Sequence, residues 1–349
     1  MSKIHPQPPS LRRAVVLGDG GWGTALAVLL TKNGIATTLW SAFPAQAEEI
    51  RAARENRRFL PGVPLPEELA ITADAFAAAA GADVAFSVVP TQYLRRVAEQ
   101  FEDALAGDVP IVTATKGIEI ETFRTPGEIL GEVLGERPLV ALTGPSHAEE
   151  VARGLPASVV AASTDETLAQ AVQGALTSDS FRVYTHSDPH GAQLAGALKN
   201  VIALAAGISD GLGLGDNAKA ALITRGLVEM TRFGQAHGAR PATFFGLAGI
   251  GDLVTTCYSP HSRNRGVGEQ IGRGRHLPEI LSGMHMVAEG VWTTKALFGP
   301  EAEARGIPMP IAEQVHAVLF EGREPGDAVL ELMRREPTGE MNGLTNGVL

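Results

Sequence analysis

Short, mostly apolar runs recur through the first half of the chain, at 14–17, 35–40, 83–89, 109–114, 139–142 and 157–162, and several of them are continuously apolar. A strand that is apolar on both faces is one covered on both sides, as in a parallel sheet flanked by helices. Between these runs, residues 22–33, 45–57, 91–105 and 163–176 carry helical spacing. Such alternation predicts a doubly wound parallel α/β sheet. After about residue 190 the strand pattern stops. Residues 191–208, 217–237, 290–305, 310–321 and 325–335 suit helices, with breaks at Gly238, Gly306, Pro308 and Pro310. There is no fixed-period repeat and no long linker. The pattern therefore predicts two domains, 1–190 and 191–349, the second all-helical and starting directly on a long helix. The Pro-rich first dozen residues and the polar tail from about 337 are expected to be mobile.

Composition narrows this picture. A chain of 349 residues is long enough for about two domains. With 44% hydrophobic and 19% charged residues it is too apolar to be disordered. Basic minus acidic residues gives 29 − 39 = −10, which argues against a nucleic-acid binder of the basic-surface type. An anionic ligand would have to be held by a few local cations. The lone cysteine, Cys257, excludes a disulfide framework and a cysteine-based zinc site, and no metal is expected. The first 13 residues lack the apolar core of a signal peptide, and apolar runs such as 201–208 fall short of a bilayer span of about 18 residues. The expectation is a soluble cytoplasmic protein without a membrane span.

Chemistry enters at the strand ends. Gly18-Asp19-Gly20-Gly21-Trp22-Gly23 matches G-x-G-x-x-G, with an apolar strand before it and a helix after it. In that context Gly18 permits the tight turn, Gly20 admits a pyrophosphate and Gly23 allows close helix–strand packing, the signature of a Rossmann-type dinucleotide site. Choice of cofactor is poorly coded. The second strand ends at Trp40 and is followed by Ser41-Ala42-Phe43, where Asp or Glu would select NAD and Arg would select NADP. Ser41 is able to bond either a ribose hydroxyl or a 2′-phosphate. Arg51 and Arg54 read as solvated helix residues, and Asp19 is an awkward negative charge beside a pyrophosphate. Lys116 follows Val-Thr-Ala-Thr at a strand end and is expected to face the crevice, in contact with substrate or cofactor. His147 reads as a structural or exposed loop residue.

In the helical half, Lys199 and Asn200 interrupt the apolar run 194–208, with Ala195, Gly196, Ile202 and Ala203 a turn away. Desolvation lowers a lysine pKa and suits it to proton exchange near neutrality. Lys199 is thus expected to be a general base, with Asp252 of Gly249-Ile250-Gly251-Asp252 able to hold it. Arg263 offers a planar fork for a phosphate, with Ser262 and Asn264 as neutral donors. Cys257 reads as buried.

Eight segments in order carry a resemblance: 22–27, 114–119, 144–150, 197–203, 216–226, 249–253, 262–265 and 287–290. Over about 14–335 the chain resembles the bacterial NAD(P)-dependent sn-glycerol-3-phosphate dehydrogenases. The resemblance implies a Rossmann domain followed by a helical domain, with the active site between them. It implies that Lys199 accepts the proton and that Lys116 contacts both cofactor and substrate. Gly144, Ser146, Asn200, Asp252, Ser262, Arg263 and Asn264 are then expected to bind glycerol 3-phosphate. Gly21, Trp22, Ala148, Arg263, Val287 and Glu289 are expected to line the dinucleotide site. A homodimer and a role in supplying glycerol 3-phosphate for phospholipid synthesis follow from the same likeness. The departures are Asp19, Gly21 and the missing basic residue at 42–43, which leave NAD against NADP undecided. The alternatives are a 3-hydroxyacid-type dehydrogenase of the same plan and a non-catalytic dinucleotide sensor.

Overall fold

The computed structural model describes residues 11–284, 286–300, 302 and 306–340. The expectations for the first ten residues, for 341–349 and for the end of the 290–305 helix at 301 and 303–305 lie outside the described residues. Eight strands form one sheet: β1 (Arg13–Leu17), β2 (Ala36–Trp40), β3 (Ala70–Thr72), β4 (Val84–Ser87), β5 (Ile111–Thr113), β6 (Leu139–Thr143), β7 (Ala157–Ala162) and β8 (Phe181–His186). Their spatial order is β3-β2-β1-β4-β5-β6-β7-β8. The order reverses between β1 and β4, which opens a crevice beyond the strand ends where such sheets hold ligands.

Two features correct the parallel sheet expected from the pattern. First, β7 pairs antiparallel to β6, and β8 follows β7 in parallel. The connection from β6 to β7 contains only the short helix Ala148–Ala152, and the chain returns from the end it left. Second, β3 and β8 are strands that the pattern did not flag. β3 has three residues, and β8 alternates buried and exposed positions as an edge strand does. The helix expected over 45–57 spans Pro44–Ala53, because Arg54 adopts a left-handed φ of 47° that ends it. The one expected over 91–105 stops as Thr91–Glu99.

Beyond β8, all regular structure among the described residues is helical. The helix Pro189–Gly211 is buried on every side, as expected of a core helix. Its 23 residues and mean hydropathy of 1.3 make it long and apolar enough to cross a membrane by length and composition, and 94% of that stretch is buried inside the protein. The apolar run 201–208 is one part of this longer buried helix. Around it pack Gly215–Ala236, Asp252–Tyr258, Arg263–Gly272, Glu289–Leu297 and Pro310–Phe320.

One contact of this helix positions the site. The Pro189–Gly211 and Arg263–Gly272 helices meet backbone to backbone along four glycines. A Cβ at Gly207 would lie 2.0 Å from the Arg265 carbonyl oxygen, and one at Gly268 would lie 2.1 Å from that of Leu204. At Gly211 and Gly272 the corresponding distances are 2.3 Å to the Glu269 oxygen and 2.5 Å to the Ile208 oxygen. No side chain separates the two helices there. This close approach brings Ser262, Arg263 and Asn264 beside Lys199 and Asn200.

Candidate active site

The ends of β1, β4, β5 and β6 and the adjoining helices enclose a cavity of about 820 Å³, within the range of small-molecule sites. At its floor, Asp252 accepts from two lysines. Lys199 Nζ donates to Asp252 Oδ1 at 2.9 Å and to Thr256 Oγ1 at 2.6 Å. Lys116 Nζ donates to Asp252 Oδ2 at 2.8 Å and to the Gly144 carbonyl at 3.0 Å. Local sequence sets this up. A wide π-helical turn, Leu247–Gly251, precedes Asp252, and a Cβ at Gly249 would fall 2.0 Å from the Phe244 oxygen. Such turns are frequent at functional sites. Gly196 packs against Thr143 and Lys116: a Cβ there would lie 3.1 Å from Thr143 Oγ1 and in ordinary contact, 3.5 Å, with Lys116 Cγ.

The charges respond to burial. Lys199 is 6% exposed. Desolvation pulls its ammonium down to about 8, although Asp252 pulls the other way. Burial would raise Asp252, but Lys116 and Lys199 together hold its carboxyl below the ordinary value. His147, also on the cavity wall, is held below its ordinary value by burial and then by the charge of Lys199. Glu289 is pushed up to about 7 by burial, against the Thr91 amide that donates to its Oε1 at 2.8 Å.

Of the expected site residues, Gly18, Gly20, Gly21, Trp22, Gly23, Lys116, Ser146, Ala148, Lys199, Asn200, Asp252, Ser262, Arg263, Asn264, Val287 and Glu289 all line this one cavity. Two do not. Gly144 lies behind it, where its carbonyl accepts from Lys116 and from Ser146 Oγ at 3.0 Å, so it positions those side chains. Ser41 is fully buried, and its Oγ donates to Asp19 Oδ2 at 2.8 Å; that bond occupies the hydroxyl expected to meet a ribose or phosphate. Cys257 is buried, as expected.

Sequence reasoning missed a polar relay across the cavity wall. The Gly290 amide donates to Asn264 Oδ1 at 2.9 Å, and Asn264 Nδ2 donates to Asn200 Oδ1 at 2.9 Å. Asn200 Nδ2 in turn donates to the Lys116 carbonyl at 3.1 Å. No spacing rule joins positions so far apart. Also missed were Phe43, Arg58, Phe59, Tyr93 and Arg96 at the open end of the cavity. Phe43 and Tyr93 are 65% and 58% exposed, an exposure of aromatic surface that only the structure reveals.

The glycine-rich turn is built to admit a ligand. Gly18 has a φ of +109°, and a Cβ on Gly23 would lie 1.9 Å from the Gly18 oxygen. Gly20 has nothing within 4 Å of its Cβ position, so the turn is open there. Gly21, one of the departures, is forced: a Cβ would meet the Phe59 carbonyl oxygen at 2.7 Å. Among the described residues, Trp22 Nε1, His147 Nε2 and Glu289 Oε2 are buried without a hydrogen-bond partner. Polar atoms left unpaired on a cavity wall fit a polar ligand. The residues present thus fit a dinucleotide.

Comparison with known proteins agrees. Two family models, described as NAD-dependent glycerol-3-phosphate dehydrogenase N-terminus and C-terminus, match residues 13–169 and 188–330. A protein of Chlorobium phaeobacteroides (strain BS1) named glycerol-3-phosphate dehydrogenase (NAD(P)+) is 49% identical over 332 residues, covering 94% of this chain and 99% of that one. One of the same name from Geobacter metallireducens is 52% identical, covering 93% of this chain and 98% of that one. The crystal structure of glycerol-3-phosphate dehydrogenase from Coxiella burnetii superposes with a TM-score of 0.89 at 38% identity, covering 94% of this chain and 100% of that chain. The chain belongs to the NAD-dependent glycerol-3-phosphate dehydrogenase family.

Proposed function

We propose that this chain interconverts sn-glycerol 3-phosphate and dihydroxyacetone phosphate with NAD or NADP. The observation that carries the reading is the floor of the cavity, where the dry amine of Lys199 and the Lys116 ammonium share Asp252 at 2.9 and 2.8 Å. In the oxidative direction Lys199 Nζ takes the proton of the C2 hydroxyl. In reduction its ammonium returns a proton to the developing alkoxide. An amine brought down to about 8 is near the pKa at which such exchange works best in neutral solution. Lys116 supplies positive charge beside the same oxygen, and Asp252 fixes both amines.

Arg263 and Ser262, with the first turn of the Arg263–Gly272 helix, hold the substrate phosphate, and this binding orients C2. The Asn264–Asn200 pair ties that helix to the Lys116 backbone, so phosphate anchor and electrophile move as one unit. The dinucleotide would be held by Gly18, Gly20, Gly21, Trp22, Gly23 and Ala148 of the first 190 residues together with Arg263, Val287 and Glu289 of the helical half, all of which line the cavity. The bound nicotinamide supplies hydride exchange at C2. Residues 191–349 supply the substrate pocket and the amine.

The same reading makes the protein a cytoplasmic homodimer that supplies glycerol 3-phosphate to phospholipid synthesis. The test is oxidation of NADH and NADPH by the purified protein with dihydroxyacetone phosphate and, separately, with 2-oxo and 3-oxo acids. Turnover with dihydroxyacetone phosphate alone is expected. Preference for an oxo acid would move the chain to the 3-hydroxyacid type, and cofactor binding without turnover would make it a sensor. Light scattering during size-exclusion chromatography checks the dimer.

A further inference from the structure

The departures at 19 and 41–43 fall together in the structure. Ser41 closes β2, the place from which this sheet type ordinarily sends a carboxylate to free ribose hydroxyls or a guanidinium to a 2′-phosphate. Ala42 and Phe43 offer neither, and the Ser41 hydroxyl is directed at Asp19. Asp19 comes from the neighbouring strand's turn and is fixed on both sides. Its carbonyl accepts from Asn56 Nδ2 at 2.7 Å and from Thr24 Oγ1 at 3.2 Å, while its carboxylate accepts from Ser41 at 2.8 Å. Ser41 is itself held, because its Oγ accepts from the Phe43 amide at 3.2 Å. Asp19 as a whole is 7% exposed and lines the cavity.

Resting on the reading above, we propose that Asp19, held by Ser41, takes over the selecting role from the end of β2 and makes the enzyme prefer NADH to NADPH. A carboxylate stripped of water is short of donors, and burial pushes its pKa up for that reason. Two ribose hydroxyls supply such donors. A 2′-phosphate would bring two further negative charges to a carboxylate that is unable to turn away. In a buried setting that repulsion is little screened. Arg58, whose charge reaches Asp19, and Arg96 line the same cavity, but both are exposed, so salt and water weaken their attraction for a phosphate.

Calorimetric titration of the full-length protein with NADH and with NADPH reads this directly, beside steady-state kinetics with each. The wild type is expected to bind NADH at least about tenfold more tightly than NADPH. Asp19→Asn is expected to shrink that ratio by about tenfold, mainly by tightening NADPH, with the KM for dihydroxyacetone phosphate unchanged. Ser41→Ala, which frees the carboxylate without removing it, is expected to shrink the ratio in part, and serves if Asp19→Asn does not fold. Wild-type binding that favours NADPH or treats the two alike overturns the proposal, as does a ratio untouched by both substitutions. A preference for NADPH that is lost in Arg58→Ala or Arg96→Ala would assign selection to those guanidiniums instead. If neither dinucleotide binds, the functional reading itself falls, a result distinct from equal binding of the two.

Discussion

Two carboxylates in the helical half are buried almost equally and pushed in opposite directions. Asp252, 2% exposed at the floor of the cleft, lies below its ordinary pKa. Glu229, 1% exposed at the start of the Pro310–Phe320 helix, is pushed up to about 7. Both lose water. Asp252 gains two ammonium groups at hydrogen-bond distance. Glu229 gains two neutral donors, the amides of Ile311 and Ala312, each at 2.9 Å. The difference shows that buried dipoles close a helix end but compensate a charge only in part, whereas full charges overcompensate it. Glu229 ties two helices together. The cluster of Asp252, Lys116 and Lys199 carries two positive charges and one negative into a dry cavity, an arrangement with little to offer stability and much to offer a phosphorylated, proton-exchanging substrate.

The hardest test of that contrast removes the amine. Lys199→Met keeps the volume and leaves Asp252 paired with Lys116. Turnover is expected to fall by ~10²–10⁴-fold, with a melting temperature no lower than that of the wild type. Near-normal turnover would remove Lys199 from the chemistry, and a large loss of stability would make the cluster structural.

The pH profile comes next in size. In the oxidative direction the amine must be neutral, so kcat/KM is expected to rise about tenfold per pH unit below about 8 and to level above it. The reductive direction needs the ammonium and falls above the same point. Asp252→Asn removes a charge that holds the Lys199 pKa up, so the midpoint is expected to move to lower pH; a fixed midpoint would show that the two groups are not coupled. Arg263→Ala is expected to raise the KM for dihydroxyacetone phosphate by about tenfold or more with a smaller change in kcat, and an unchanged KM would discard the phosphate anchor.

The smallest effect concerns Glu229. Its folded pKa near 7 lies above the ordinary 4.5, so the native state holds the extra proton between those values. That stabilising contribution is present at low pH and declines as pH rises from 4.5 towards 7, by roughly 3 kcal/mol in all. Glu289, raised to about 7 as well, adds the same sign. Asp252, with a lowered pKa, contributes stability that is lost only in acid, as pH falls below 3.8. Glu229→Gln is therefore expected to reduce, without abolishing, the drop in melting temperature between pH 5 and pH 8. An identical drop in the variant would assign the slope elsewhere.

Much of this was readable from the chain because the informative residues are out of keeping with their neighbours. Lys199 in an apolar helix, Lys116 just beyond the end of β5 and the glycines at 18, 20 and 23 each break a local pattern, and each lies on the cavity. β3 and β8 were missed for opposite reasons, the one too short for any period and the other a polar edge. The reversal at β7 was not legible, since strand direction depends on where a connection packs. Gly144 and Ser41 have side-chain or backbone groups already committed to Lys116 and Asp19, and residue type alone does not reveal such pairings. The Gly290–Asn264–Asn200 relay was hidden by sequence distance. Conversely, Gly21 reads as an oddity in sequence and as a necessity beside the Phe59 carbonyl.

The four-glycine contact between the Pro189–Gly211 and Arg263–Gly272 helices gives the enzyme a datum that its surroundings do not disturb. Where two helices rest on intervening side chains, their spacing drifts as those side chains are exchanged by mutation. Here main chain rests on main chain, so substitutions elsewhere in the hydrophobic interior are free to accumulate without altering the separation between amine and guanidinium. The tolerance ends at the contact itself, where a single methyl group would act as a wedge with its point towards the chemistry.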